Sequence, residues 1–190
     1  LTVEAVIAAA GLSRRVGRWK PGLPFGDKTL IEAAVAPYLE VCKRVIVVGG
    51  FNFDELRRIL GGYEKIETVF NPDYTGEMFL SVKIGVSRVK ARRFFFTPGD
   101  YPLVKVETLR KLLRSSGEVV VPVFGGRRGH PVLMDSSLIP ELMDEPDSSS
   151  LKAFLKRKEI TEVEVDDPGV RLDVDTWEDY QKLLRLAGQG

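Results

Sequence analysis

The chain has 190 residues, 44% of them hydrophobic and 29% charged, and its 28 Lys and Arg against 27 Asp and Glu leave a net charge of +1. That composition excludes a disordered or fibrous chain and lacks the basic excess of a typical nucleic-acid binder, so any anion site has to be local. The length suits one domain over 1–190, and no apolar run reaches the ~18 residues that would cross a bilayer.

In chain order, an apolar strand is expected over 3–9, then a cation-rich stretch, then a helix over 29–40, where "TLIEAAVAPYLE" spaces its apolar residues by three and four. Strands follow at 44–50, 65–70, 93–99 and 118–124, separated by helix-patterned stretches at 53–60, 78–89 and 106–116. Beyond 124 the pattern loosens. "GGRRGHP" reads as a turn into another strand, antiparallel to its neighbours, and "EPDSSS" as the cap of a short basic helix. A strand is expected over 160–167, and a last helix is capped by Asp175 or Thr176. This alternation predicts a three-layer α/β fold, a mostly parallel, Rossmann-like sheet with helices on both faces. The lone Cys42, read as a buried side chain, rules out an intrachain disulfide and points to a reducing compartment. With no secretory pattern near the first residues, a cytoplasmic location is expected.

Ligands of open α/β sheets bind at the carboxyl ends of the strands, so the loops there carry the functional question. The loop after the first strand, "AAAGLSRRVGRWK", lacks the second glycine of a dinucleotide fingerprint, and the later "GDKT" has no Lys directly after Gly as a P-loop requires. What remains is a glycine turn with Ser13, Arg14, Arg15, Arg18 and Lys20, chemistry that can wrap a polyphosphate. A solvated basic loop is the alternative. Three phenylalanines then run into Gly99 and Asp100, a carboxylate at a strand end suited to a hard cation or, alternatively, to an Asx turn. In "VRLDVDTWEDY", Asp173 and Asp175 alternate with apolar residues, so on a short strand they share a side. One would then complete a metal site and the other cap the helix. Trp177 and the basic run at 155–158 read as packing and as a solvated helix face.

These stretches in this order resemble the MobA-like nucleotidyltransferase family, most closely its molybdenum cofactor cytidylyltransferase branch. "AAAGLSRRVGRWK" resembles the family signature, "NPDYTGEMFLSVKIGV" its asparagine-proline loop, "PGDYPLV" its metal-binding turn, "GGRRGHPVLM" its Gly-His-Pro hairpin and "LDVDTWEDY" its C-terminal Asp-x-Asp-Thr motif. The resemblance implies a fold of the nucleotide-diphospho-sugar transferase type and a Mg²⁺-dependent transfer of CMP from CTP to a phosphorylated acceptor, with pyrophosphate released. Ala9, Ala10, Gly11, Ser13 and Gly99 would line the nucleotide site, with Arg15 and Lys20 on its phosphates and Ser81 near the base or ribose. Asp100 and Asp173 would hold Mg²⁺, and His130 would touch the acceptor. Catalysis would rest on Arg15, Lys20 and Asp100. Alanine at position 10 is the reason for preferring CTP, since members using GTP tend to have glycine there. A molybdopterin-type cofactor is the expected acceptor, and a molybdoenzyme or a chaperone the candidate protein partner. Rival readings are transfer to a sugar, polyol or isoprenoid phosphate, a guanylyltransferase, and a non-catalytic NTP-sensing or chaperone module. Val16, Trp19 and "EPDSSSLKAFL" depart from the family pattern. Lys20 is expected to be an exposed loop residue that contributes little to packing.

Overall fold

The computed structural model describes residues 2–188. Strand β1 (Val3–Ala9) is followed by a small hairpin, β2 (Pro24–Phe25) and β3 (Lys28–Thr29), and by helix α1 (Leu30–Val41). The alternation continues through β4 (Arg44–Gly49), α2 (Phe53–Leu60), β5 (Ile66–Phe70), α3 (Met78–Val86), β6 (Arg93–Pro98), α4 (Val106–Leu113) and β7 (Val119–Phe124). After it come β8 (Arg127–Arg128), β9 (Val132–Asp135), α5 (Ile139–Asp144), α6 (Leu151–Leu155), β10 (Ile160–Glu164) and α7 (Trp177–Leu186).

The main sheet has the order β10-β7-β9-β6-β1-β4-β5, with β8 paired to β7. Strand β1 lies parallel to both β4 and β6, β4 is parallel to β5, and β10 is parallel to β7. Only β9 runs against its neighbours along that path, antiparallel to β6 and to β7. The expected antiparallel strand is therefore present, and it lies inside the sheet rather than at its edge.

Alternation along each strand explains the two helical layers. Ala5, Ile7, Val45, Val47 and Phe95 face α1, α2 and α4 through Ile31, Val35, Leu56, Leu60, Leu109 and Leu112. The intervening Val6, Ile46, Phe94 and Phe96 face α3, α5 and α6 through Phe79, Val82, Val86, Leu142 and Phe154. Cys42 is buried in the first of these layers, and burial pushes its thiol up to about 12, so it is inert packing. A third cluster joins Val16, Leu23 and Phe25 from the basic stretch to Val174, Tyr180 and Leu183. This last contact presses the cation-rich loop against the C-terminal helix.

Local signals set the element ends. Thr29 and Glu32 form a capping box at the start of α1, and Thr176 and Asp179 form another at α7. Thr176 rather than Asp175 is thus the cap of the last helix. Residues 172–175 form no strand, which corrects the expected strand geometry around Asp173 and Asp175: Val174 gives its N–H to the Asp100 carbonyl (3.0 Å) instead of to a ladder. The run at 155–158 is also not a free helix face. The helix stops at Leu155, and Lys158 pairs with Glu141 while its ammonium lies 4.9 Å from the Phe154 ring centre.

Candidate active site

The site is assembled where β1 and β6 end side by side. Ala9 and Ala10 are buried, and Gly11 leaves open space where a side chain would project. Gly99 follows β6 and donates its N–H to Ala8 (2.8 Å). A Cβ there would lie 2.9 Å from Ile31 Cδ1 and 3.2 Å from Ala9 Cβ, so glycine is needed for the strands' close approach. That approach brings Asp100 beside the loop that follows β1.

The cation-rich loop is folded rather than loose. Ser13 adopts φ 54°, a left-handed conformation few residues other than glycine take, and its carbonyl accepts from Val16 and Gly17 at 3.2 Å each. Its hydroxyl accepts from the Lys20 N–H at 3.0 Å. Trp19 packs against the first core cluster and Pro21 is buried, so the backbone on both sides of Lys20 is anchored. Trp19, a departure from the family pattern, thus serves as the loop's apolar foot. Arg18 lies 5.4 Å from the ring centre of Trp177, which packs beside Tyr180.

Lys20 is not an exposed loop lysine. Its ammonium donates to Asp100 Oδ2 at 2.6 Å and to the Val174 carbonyl at 2.8 Å, and both side chains of the ion pair are only 19% exposed. The second Asp100 oxygen, Oδ1, is buried and has no hydrogen-bond partner among the described residues. Asp173 completes the acidic corner. Burial, then the negative charge of Asp100, raises its pKa above the usual carboxylate range. A buried, unsatisfied Asp100 oxygen with a second carboxylate close enough to feel its charge suits a hard divalent cation, so the donor set fits the metal that the sequence implies. Asp175, two residues on, pairs instead with Arg15.

His130 precedes β9 in a cis peptide with Pro131, and its ring packs on Tyr101 with centroids 4.9 Å apart. Its Nδ1 is buried without a partner among the described residues, and its backbone N–H donates to the Val170 carbonyl at 2.8 Å. Burial pushes the imidazole down to about 4, with Asp100 and the Phe96 backbone opposing it only in part, so the ring is neutral near pH 7. The structure therefore brings Ala9, Ala10, Gly11, Ser13, Lys20, Gly99, Asp100, Asp173 and His130 to one end of the sheet. Ser81 differs. It is buried on α3 and its hydroxyl accepts from Asn71 Nδ2 at 2.8 Å, while Asn71 Oδ1 accepts from the Asp73 N–H at 2.9 Å. Its side chain holds the asparagine-proline turn in shape.

Two contributors escaped the sequence reading. Tyr101 stacks on His130, and burial followed by the charges of Asp173 and Asp100 raises its hydroxyl pKa. Asp167 is buried and accepts from the Lys105 N–H (2.8 Å), Thr108 Oγ1 (2.7 Å) and the Gly169 N–H (2.9 Å). It ties the segment carrying Val170 and Asp173 to the start of α4. Its signal was the Asp-Pro-Gly at 167–169, a turn signature.

Residues 5–163 match the MobA-like NTP transferase domain. The chain is 31% identical over 180 residues to the molybdenum cofactor cytidylyltransferase of Escherichia coli strain K12, covering 94% of this chain and 93% of that one. It is 27% identical over 208 residues to the molybdenum cofactor guanylyltransferase of Shewanella woodyi, covering 100% and 99%. Among solved structures, Rv0371c of Mycobacterium tuberculosis H37Rv in complex with manganese superposes with a TM-score of 0.79 at 25% identity, covering 97% and 99% of the two chains. The fold is of the nucleotide-diphospho-sugar transferase type. Nearly the whole length of the chain takes part in these matches, and it belongs to the MobA-like NTP transferase family, as a nucleotidyltransferase.

Proposed function

We propose that the protein transfers CMP from CTP to a phosphorylated acceptor, a molybdopterin-type cofactor in the favoured case, and releases pyrophosphate. The observation that carries the chemistry is the meeting of Lys20, Asp100 and Asp173 at one strand end beside the Ala10–Gly11 turn. Support for CTP and for this acceptor comes from the 31% identity to a cytidylyltransferase and from Ala10.

A phosphate monoester has its second pKa near ~6, so the acceptor already carries its nucleophilic oxygen as an anion. That oxygen attacks the α-phosphorus, the bond from the α-phosphorus to the bridging oxygen breaks, and the electron pair leaves with pyrophosphate. No base is required of the protein, which accords with a neutral His130. The work left to the residues is orientation and charge compensation. Gly11 lets the triphosphate approach the backbone, while Lys20 and Arg15 neutralise its non-bridging and departing oxygens. Held by Asp100 and Asp173, Mg²⁺ would offset the triphosphate's charge. His130 and Tyr101 form an uncharged wall on which an acceptor ring can rest.

A guanylyltransferase is the second reading, favoured by the 27% identity to a protein of that activity. Melting temperature with Mg²⁺ and each of CTP, GTP and ATP separates the two, because the preferred ligand stabilises the folded state by mass action. CTP is expected to give the largest rise, together with Mg²⁺-dependent pyrophosphate release when acceptor is supplied. An equal or larger rise with GTP defeats the cytidylyl assignment.

A further inference from the structure

The carboxylate proposed to hold the metal is paired with Lys20, the residue proposed to hold the triphosphate. Lys20 Nζ sits 2.6 Å from Asp100 Oδ2 and 2.8 Å from the Val174 carbonyl, so two of its three donors are already engaged. With both partners 19% exposed, water screens the pair far less than a surface pair. Arg15 leans the same way, on Asp175, but it is 74% exposed and that pair is weak by comparison. Both pairs close the cation-rich loop onto residues 174–175 and Asp100.

We propose that Lys20 is the resident counter-ion of Asp100, and that metal and nucleotide enter by exchange: a bound triphosphate draws Lys20 away, and Asp100 is thereby released to the divalent cation. This rests on the reading of Asp100 as a metal ligand. A metal arriving alone meets an ammonium hydrogen-bonded to one Asp100 oxygen, and like charges on one carboxylate repel. The triphosphate is a multivalent anion and competes for Lys20 more strongly than one carboxylate does. Once Lys20 has moved, Asp100 is left without its counter-ion while its charge still acts on Asp173, and Asp100 Oδ1 already lacks a partner among the described residues. Metal affinity is therefore low without nucleotide and rises with it. Such coupling is reciprocal, so the metal in turn strengthens nucleotide binding.

The test is Mn²⁺ titration of the nucleotide-free protein, read by the electron paramagnetic resonance of free Mn²⁺. Lys20→Met is expected to bind Mn²⁺ at least ~tenfold more tightly than wild type, within the usual range of coupling factors. The double variant Lys20→Met/Asp100→Asn is expected to lose the gain, and Lys20→Arg, which keeps the charge, to stay as weak as wild type. Unchanged or weaker Mn²⁺ binding in Lys20→Met overturns the proposal, and so does a gain that survives Asp100→Asn. If Lys20→Met does not fold by circular dichroism, Lys20→Gln carries the same expectations. Because no nucleotide is present, the result is independent of the cytidylyl reading: an inactive protein that gains Mn²⁺ on Asp100 supports exchange, and an active one with no gain refutes exchange alone.

Discussion

Asp167 makes the sharpest stability prediction. Its carboxylate accepts three hydrogen bonds, from Lys105 N–H, Thr108 Oγ1 and Gly169 N–H, at 2.7–2.9 Å, while only 1% exposed. Two of these donors lie at the start of α4, where an anion also meets the positive end of the helix dipole. Hydrogen bonds to a charged group contribute about 1.5–3 kcal/mol each, and sharing one carboxylate makes the three less than additive. Asp167→Ala should therefore cost about 3–5 kcal/mol, and at ~2–4 °C per kcal/mol for a chain of this size the melting temperature should fall by roughly 6–20 °C. Asp167→Asn keeps one acceptor oxygen and should lose about half as much. Scanning calorimetry and urea unfolding measure both. At a temperature where the Ala variant is folded, turnover should fall more than the nucleotide-induced rise in melting temperature, because the residue braces the Val170–Asp173 wall and not the β1 loop. A loss below ~1 kcal/mol refutes this account of the clamp.

Two further outcomes follow from the titratable groups. His130 has a folded pKa of about 4 against 6.5 for a free imidazole, so between those values the unfolded chain binds more protons. Stability from this group is complete above pH 6.5 and is lost as pH falls toward 4, by up to ~3 kcal/mol; His130→Phe should flatten that slope in denaturation curves taken between pH 4 and 7. Asp173 has a raised pKa, from burial and then the charge of Asp100, so its ionised form costs more in the folded chain than in the unfolded one. In EDTA, Asp173→Asn should melt at or above the wild-type temperature, yet Mg²⁺ with nucleotide should stabilise it less, and a clear drop in EDTA would contradict the repulsion.

Much of the scaffold was legible because the strands are apolar runs of strand length and the helices have clean three- and four-residue spacing. Asp100 was legible too, since packing gives no reason for a carboxylate at the end of a triple-phenylalanine strand. The partner of Asp100 was not. Lys20 lies 80 residues away, and the pair exists because the third cluster, Val16, Leu23 and Val174 among others, presses the β1 loop onto the C-terminal segment. Alternation puts Asp173 and Asp175 on one side only in a strand, but Val174 bonds to the Asp100 carbonyl and residues 172–175 form none. The two acids consequently serve different cations' neighbourhoods, Asp173 near Asp100 and Asp175 on Arg15. The bond from Asn71 to the Ser81 hydroxyl was not legible for a simpler reason: a motif identifies a residue, and only packing tells which way a hydroxyl on a helix turns.

The reversed strand β9 divides the molecule's capacity to change. In an all-parallel sheet every loop at the working edge leads into a long crossover, so altering one disturbs a helix. Because β9 runs backward, His130 is reached by a short hairpin whose tip, Gly125 and Gly126, is exposed and turns at φ 58° and 72°. Residues can be inserted at such a tip with little effect on the sheet. The opposite wall has no such freedom, since even one methyl on Gly99 meets Ile31 and Ala9. Divergence in this architecture should therefore accumulate around the hairpin that leads to His130, by changes of loop length, while the strand ends at Ala9 and Gly99 stay fixed.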